Sequence, residues 1–409
     1  MPIGDSIETR ASWVAAIAAV AILSIAYGAP LVAVVGLRLI AEDLGSARAV
    51  PALASSLAYV GSGAGGILMG LLVPRLGMRR VVCIGAVCVA LGMALAAGGQ
   101  EWQLLLGYGV LVGVFGTGAL FAPLITYVSL WFDRRRGSAL ALVSSGQYVA
   151  AVLWPALLER GIAAWGWQAT MLAFGGFCAV TILPVALLVL RPAPLALPNA
   201  GPGREPQAGE RVLGLHPNLT QGLICLAGFL CCIPMAMPAA HLVAFCGDLG
   251  IAASRGALML SVTMACAFLA RQFWGALGDR IGGLRTATIG NVCQTIGMAL
   301  FLVTQDEAGL FLVAAIYGLG FGGITPSYAL AVRGLFPAGQ AHWRVPLIFF
   351  TSLCGMATGS WLAGYLYDAT GAYAVAWQAG IFANLLNLGI LLPLALRPGQ
   401  RPGARLVAA

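Results

Sequence analysis

Long apolar runs separated by short polar turns dominate the chain. A helix needs about 20 mostly apolar residues to cross a bilayer. Broken at charge clusters and at Gly- and Pro-rich turns, the sequence yields twelve such runs. Six fall near residues 12–36, 50–73, 81–99, 103–130, 138–158 and 167–190, and six near 218–246, 255–278, 286–304, 309–334, 345–366 and 374–396. Between the sets lies RPAPLALPNAGPGREPQAGERVLGLHP (191–217), rich in proline, glycine and charge, the composition of a linker with no core of its own. The expected fold is an all-α membrane protein with twelve transmembrane helices in two bundles, residues 1–190 and 218–409. The first run is read as a retained helix. Its leader holds Asp5 and Glu8 where a signal peptide has a basic cluster, and the apolar stretch outlasts a short signal core.

Composition names the solvent. Apolar residues make up 60% of the chain and charged residues 9%, with a mean hydropathy of +0.92. Soluble domains carry about 25% charged residues, so lipid is the medium in which this surface is stable. The 55 glycines suit close helix approach in a bilayer. All 22 basic residues are arginine. The net charge of +8 does not mark a nucleic-acid partner, because the arginines sit in short tracts between apolar runs, not on one basic face. They orient the chain instead. With both termini cytoplasmic, only Arg38, Arg48, Arg160 and Arg255 lie outside, and all the others but one lie inside. The ten cysteines form no CxxC pair, so neither a disulfide framework nor a zinc site is indicated. No cofactor is expected.

The two halves repeat. GLLVPRLGMRR (70–80) and GALGDRIGGLR (275–285) share G-x-x-x-x-R-x-G, and GWQATMLAFGG (166–176) and AWQAGIFANLL (376–386) share W-Q-A. Twofold similarity across a central linker is the mark of a parallel-repeat transporter. On these residues, and on WFDRRRGSALALVSSGQYV (131–149), the chain resembles the major facilitator superfamily over essentially its whole length. The second copy keeps the family's loop acid and arginine as Asp279 and Arg280. The first copy has Pro74 where the acid is usual, while retaining Arg75, Gly77, Arg79 and Arg80. Within the superfamily, LARQFWGALGDRIGG and HLVAFCGDLG resemble the monocarboxylate-porter and oxalate/formate-antiporter group. The helix-5 motif of drug/proton antiporters and the P-E-S-P-R of sugar porters are missing. The resemblance implies transport of a small organic anion.

Arg271 is the arginine without a topological role. It lies about 15 residues into predicted helix 8, roughly 22 Å along it at 1.5 Å per residue. All 14 acids fall in loops, tails or helix ends. A charge at such depth costs at least ~2.5 kcal/mol and is functional by default. Its planar guanidinium suits bidentate binding of a carboxylate; the structural alternatives are snorkelling or bonding to backbone carbonyls. Animal monocarboxylate porters carry an aspartate one turn earlier, where this chain has Ala267. His241 is the one histidine inside a predicted span, and histidine protonates near neutral pH, so it is the candidate for substrate contact or proton coupling. Tyr27, Phe121, Gln147 and Tyr328 fall mid-span on predicted helices 1, 4, 5 and 10, which border the central cavity in the family the chain resembles. Tyrosine and glutamine can donate to a carboxylate, and Phe121 can bound its apolar part. Asp279, Arg280 and Arg75 are the expected gating residues.

The reading is a secondary transporter in a bacterial inner membrane, moving a small monocarboxylate by alternating access, as proton symport or anion exchange. The expected partners are a small organic anion, protons and the lipid bilayer. One alternative is efflux of a hydrophobic drug or metabolite. Another is a membrane sensor that binds without flux. An enzyme is the weakest reading, because no Ser/His/Asp grouping, metal cluster or phosphate loop occurs at workable spacing.

Overall fold

The computed structural model describes residues 6–46, 49–192 and 211–397, nearly all of them helical. Among the described residues, twelve helices are long and apolar enough to cross a bilayer. They are α1 (Arg10–Val35), α2 (Leu53–Leu76), α3 (Met78–Ala96), α4 (Glu101–Ser129), α5 (Arg136–Pro155), α6 (Leu157–Val189), α7 (Pro217–Val243), α8 (Leu258–Ile281), α9 (Gly283–Val303), α10 (Glu307–Leu335), α11 (Ala338–Tyr367) and α12 (Tyr373–Leu396). Hydrocarbon offers backbone N–H and C=O groups no partners, and a helix pairs them within one segment. That is why each apolar run winds up alone. Residues 193–210 of the expected linker lie outside the described residues, as do Asp5, Arg48, Arg204, Arg401 and Arg405.

Side chains are distributed as lipid requires. Val152, Leu188 and Val303 are 78%, 78% and 77% exposed, whereas Asn291, Gln294, Asn384 and Asn387 are fully buried. All ten cysteines are free thiols, and five of them are buried.

The chain packs as two compact units. One comprises Met1–Arg134, Leu142–Gly203 and Ala338–Phe350; the other comprises Arg135–Ala141, Arg204–Pro337 and Thr351–Ala409. The first turns of α5 and α11 therefore group with the opposite half of the chain from the rest of their helices. The repeat is visible in the backbone. Left-handed glycines pair 205 residues apart, as Gly45 with Gly250 (φ 60° and 75°), Gly77 with Gly282 (81° and 87°) and Gly166 with Gly371 (79° and 70°).

Helix interruptions position the side chains discussed below. In α1, Tyr27 separates Arg10–Ala26 from Gly28–Val35, and Pro30 has no N–H to offer the Ala26 carbonyl. In α4, Gly107–Thr117 is a π-helix, a form that concentrates at functional sites. In α10, Glu307–Phe321 and Ile324–Leu335 are parted at Gly322 and Gly323. The sequence predicts a connection between the runs at 138–158 and 167–190, but the backbone is helical from Gly146 to Val189 except at Gly166. Glu159 and Arg160 are exposed there. Exposed charges do not stop a helix; among these residues only Gly166 leaves helical backbone angles.

Candidate functional site

In the second unit, one face of α8 lies on the break in α10. Arg271, midway along α8, is 5% exposed, and its Nε donates to the Gly322 carbonyl at 2.7 Å. One turn earlier, Ala267 is buried with its backbone against Gly322, so close that a methyl group on the glycine would lie 2.9 Å from the Ala267 Cα. One turn later, Trp274 covers Gly323, and its indole N–H donates to the Leu319 carbonyl at 2.7 Å. The interruption thus frees a carbonyl that orients a buried guanidinium. Bonding of Arg271 to a backbone carbonyl, the structural alternative drawn from sequence, is observed at Nε. Bidentate recognition uses the plane that also holds the terminal nitrogens.

His241 and Tyr328 lie in the same unit on other contacts. Nε2 of His241 is 2.9 Å from the Ser360 carbonyl on α11, and Nδ1 is 3.2 Å from the hydroxyl of Tyr373, the first residue of α12. A carbonyl only accepts, so Nε2 donates to Ser360, and in that tautomer Nδ1 accepts from Tyr373. Tyr328 is fully buried and donates to Asn387 Oδ1 at 3.1 Å.

The first unit gathers three sequence-predicted residues in one cluster. Tyr27, at the bend of α1, has its hydroxyl 3.5 Å from Ser62 Oγ on α2 and also bonds the Gln147 side chain on α5. Its ring meets Phe121 of α4 edge-on at 5.7 Å, and Phe121 meets Phe349 of α11 at 5.0 Å. Ser62 and Phe349 were not anticipated. Neither stands out in sequence, because their importance comes from which helices converge on Tyr27.

Asp279 ends α8 and accepts from donors at the start of α5. Its carboxylate takes the Gly137 N–H, the Ser138 N–H at 3.0 Å and the Ser138 hydroxyl at 2.6 Å. A carboxylate at a helix N-terminus meets both unpaired N–H groups and the positive end of the dipole. Arg280 and Arg75 are exposed.

The family model described as Major Facilitator Superfamily matches residues 12–240 and again 224–408, once on each half. The chain belongs to this superfamily. Individual proteins also match most of the chain. Mouse monocarboxylate transporter 11 is 30% identical, over 89% of this chain and 83% of its own length. Rat monocarboxylate transporter 13 is 29% identical, over 78% of this chain and 74% of its own. Among solved superfamily structures, a proton:xylose symporter superposes with a TM-score of 0.75 at 13% identity, covering 93% of this chain and 95% of that one. Identity so low speaks for the fold alone. As a superfamily member with twelve apolar helices, the chain is a multi-pass membrane transporter.

Proposed function

We propose that this transporter carries a small monocarboxylate across the membrane by alternating access, with the Arg271 guanidinium holding the carboxylate. The observation that carries the reading is a buried cation at mid-span, aimed through Nε by the Gly322 carbonyl. A membrane protein retains such a charge at a cost of at least ~2.5 kcal/mol, and a carboxylate is the partner that matches its planar fork. The names of the mouse and rat relatives support the same substrate class. In the first unit, the proposed substrate contacts are Tyr27, Gln147 and Phe121. Coupling is by proton symport or anion exchange. His241 is proposed to link proton uptake to α11 and α12, because a proton on Nδ1 would require the Tyr373 hydroxyl to turn from donor to acceptor. The proposed setting is a bacterial inner membrane with both termini cytoplasmic.

Asp279 is proposed as a gating latch, with Arg280 beside it and Arg75 at the matching position of the first half. Asp279→Asn replaces a charge with an amide whose N–H groups oppose those of Gly137 and Ser138. The expected loss is about 1–2 kcal/mol, the scale of a charge at a helix end, or roughly five- to thirtyfold in the population of the capped state. It is read from uptake rate and thermal unfolding of the purified variant. Unchanged values for both would remove the latch.

The reading as a whole is tested with purified protein in liposomes, using labelled monocarboxylates, dicarboxylates and neutral solutes under imposed pH gradients. Monocarboxylate uptake or exchange is expected; failure of every carboxylate overturns the proposal. The Tyr27–Phe121–Phe349 cluster is the feature that favours the alternative, efflux of a hydrophobic compound. That alternative predicts transport indifferent to Arg271→Ala.

A further inference from the structure

Several buried polar residues of the second unit form one connected path. Tyr328 donates to Asn387 Oδ1, and Asn387 Nδ2 donates to Asn384 Oδ1 at 2.9 Å. Asn384 Nδ2 lies 3.3 Å from Gln294 Oε1, and Gln294 Nε2 reaches the Tyr317 hydroxyl at 3.5 Å. Tyr317 in turn donates to the Pro234 carbonyl of α7 at 2.7 Å. That carbonyl is left over by the helix itself, because Pro238, four residues on, has no N–H. Between two tyrosines of α10, on opposite sides of the Gly322–Gly323 break, the path runs through α12 and α9, and from Tyr317 it goes on to α7.

The first unit shows that helix packing alone does not require these amides. RTATIGNVCQTIG (285–297) repeats RVVCIGAVCVALG (80–92) without a gap, which sets Asn291 and Gln294 against Ala86 and Val89. The W-Q-A repeat sets Asn384 and Asn387 against Phe174 and Phe177. The same register sets Arg271 against Gly66. In the half without the arginine, helicity persists through α4, from the π segment directly into Gly118–Ser129, and the amide positions are apolar. In the half with it, α10 is broken and the amides are present. Buried amides in a membrane bundle must all find partners or cost stability, so their restriction to the half that carries Arg271, along with the buried Arg333 and Arg344, calls for a reason.

We infer that Gln294, Asn384 and Asn387 are positioning residues for Arg271: through Tyr317 and Tyr328 they fix the angle between the two halves of α10, and so the direction of the Gly322 carbonyl that holds the guanidinium. At the break the helix's own ladder is incomplete, because Pro326 has no N–H for the Gly322 carbonyl four residues before it. The path supplies that constraint from two neighbouring helices. Asn291 joins it by accepting Asn384 Nδ2 at its backbone carbonyl, at 3.0 Å. The inference rests on the proposed binding of the carboxylate by Arg271.

The test is the kinetics of labelled monocarboxylate uptake by Tyr328→Phe and Asn387→Leu in liposomes. Each variant is expected to raise KM about five- to tenfold, the worth of one buried hydrogen bond, with Vmax per folded molecule within about twofold of wild type. In an Arg271→Lys background, where no guanidinium remains to be aimed, the same substitutions are expected to add nothing to KM. A purely structural role would lower the yield of folded protein and act equally in both backgrounds. An unchanged KM in Tyr328→Phe, or effects that multiply in the lysine background, overturns the inference. Should Asn387→Leu fail to fold, Tyr328→Phe, which deletes one hydroxyl, decides alone. Wild-type uptake by Arg271→Ala would remove the parent reading and this one together. A transport defect in Arg271→Ala beside an unaffected Tyr328→Phe would remove this one only.

Discussion

Replacing Arg271 with alanine is expected to lower the proposed monocarboxylate uptake by at least about a hundredfold, in a variant that still folds. Hydrogen bonds to a charged group contribute about 1.5–3 kcal/mol each, and a bidentate pair supplies two of them. Their loss corresponds to two or more powers of ten in affinity at about 1.4 kcal/mol each. Stability moves much less. Alanine removes a charge that costs at least ~2.5 kcal/mol to hold at mid-span, and this offsets the Gly322 carbonyl left without its donor. Arg271→Lys restores the charge but not the fork, so recovery is partial. Uptake measured against the amount of folded protein separates the two effects. Full transport by the alanine variant would favour a hydrophobic cargo.

The second large effect is expected at Gly322. A methyl group there would lie 2.9 Å from the Ala267 Cα and 3.0 Å from its carbonyl carbon, so backbone must move against backbone. Such overpacking costs about 1–3 kcal/mol, and the displaced atom belongs to the residue that orients Arg271. Gly322→Ala should therefore reduce both thermal stability in detergent and affinity for the carboxylate. Gly323→Ala should behave similarly, since its methyl group would meet the Trp274 ring. Gly334 is the control. It lies in the same helix with no atom within 4 Å of an added methyl group, and alanine there should be neutral or stabilising by up to about 1 kcal/mol. Wild-type stability and KM in Gly322→Ala would show that the break is not tightly packed.

The twelve helices were readable from sequence because an apolar run of bilayer length has few other outcomes. Arg271 was readable for the complementary reason, since one charge inside such a run stands out. The interruptions were harder. Gly322 and Gly323 lie inside a continuous apolar run, and hydropathy does not register a broken hydrogen-bond ladder. A Gly-Gly pair followed by Thr325 and Pro326 was the available signal. Tyr27, Phe121 and Gln147 were chosen by depth and proved to be neighbours, but Ser62 and Phe349 came only from the packing of α2 and α11 around them. The amide path was invisible for the same reason. Asn291 and Gln294 lie 90 to 96 residues from Asn384 and Asn387, across two helices, and read singly each is an ordinary polar residue. Only the comparison with Ala86, Val89, Phe174 and Phe177 sets them apart.

Equilibrium binding of a labelled short-chain monocarboxylate and of its neutral amide, to the purified wild-type protein and to Arg271→Ala, tests the central claim most directly. The account predicts that the wild type binds the carboxylate and discriminates against the amide by about a hundredfold or more, and that the alanine variant loses that discrimination. Equal binding of acid and amide by the wild type, or carboxylate binding undiminished in Arg271→Ala, would contradict it.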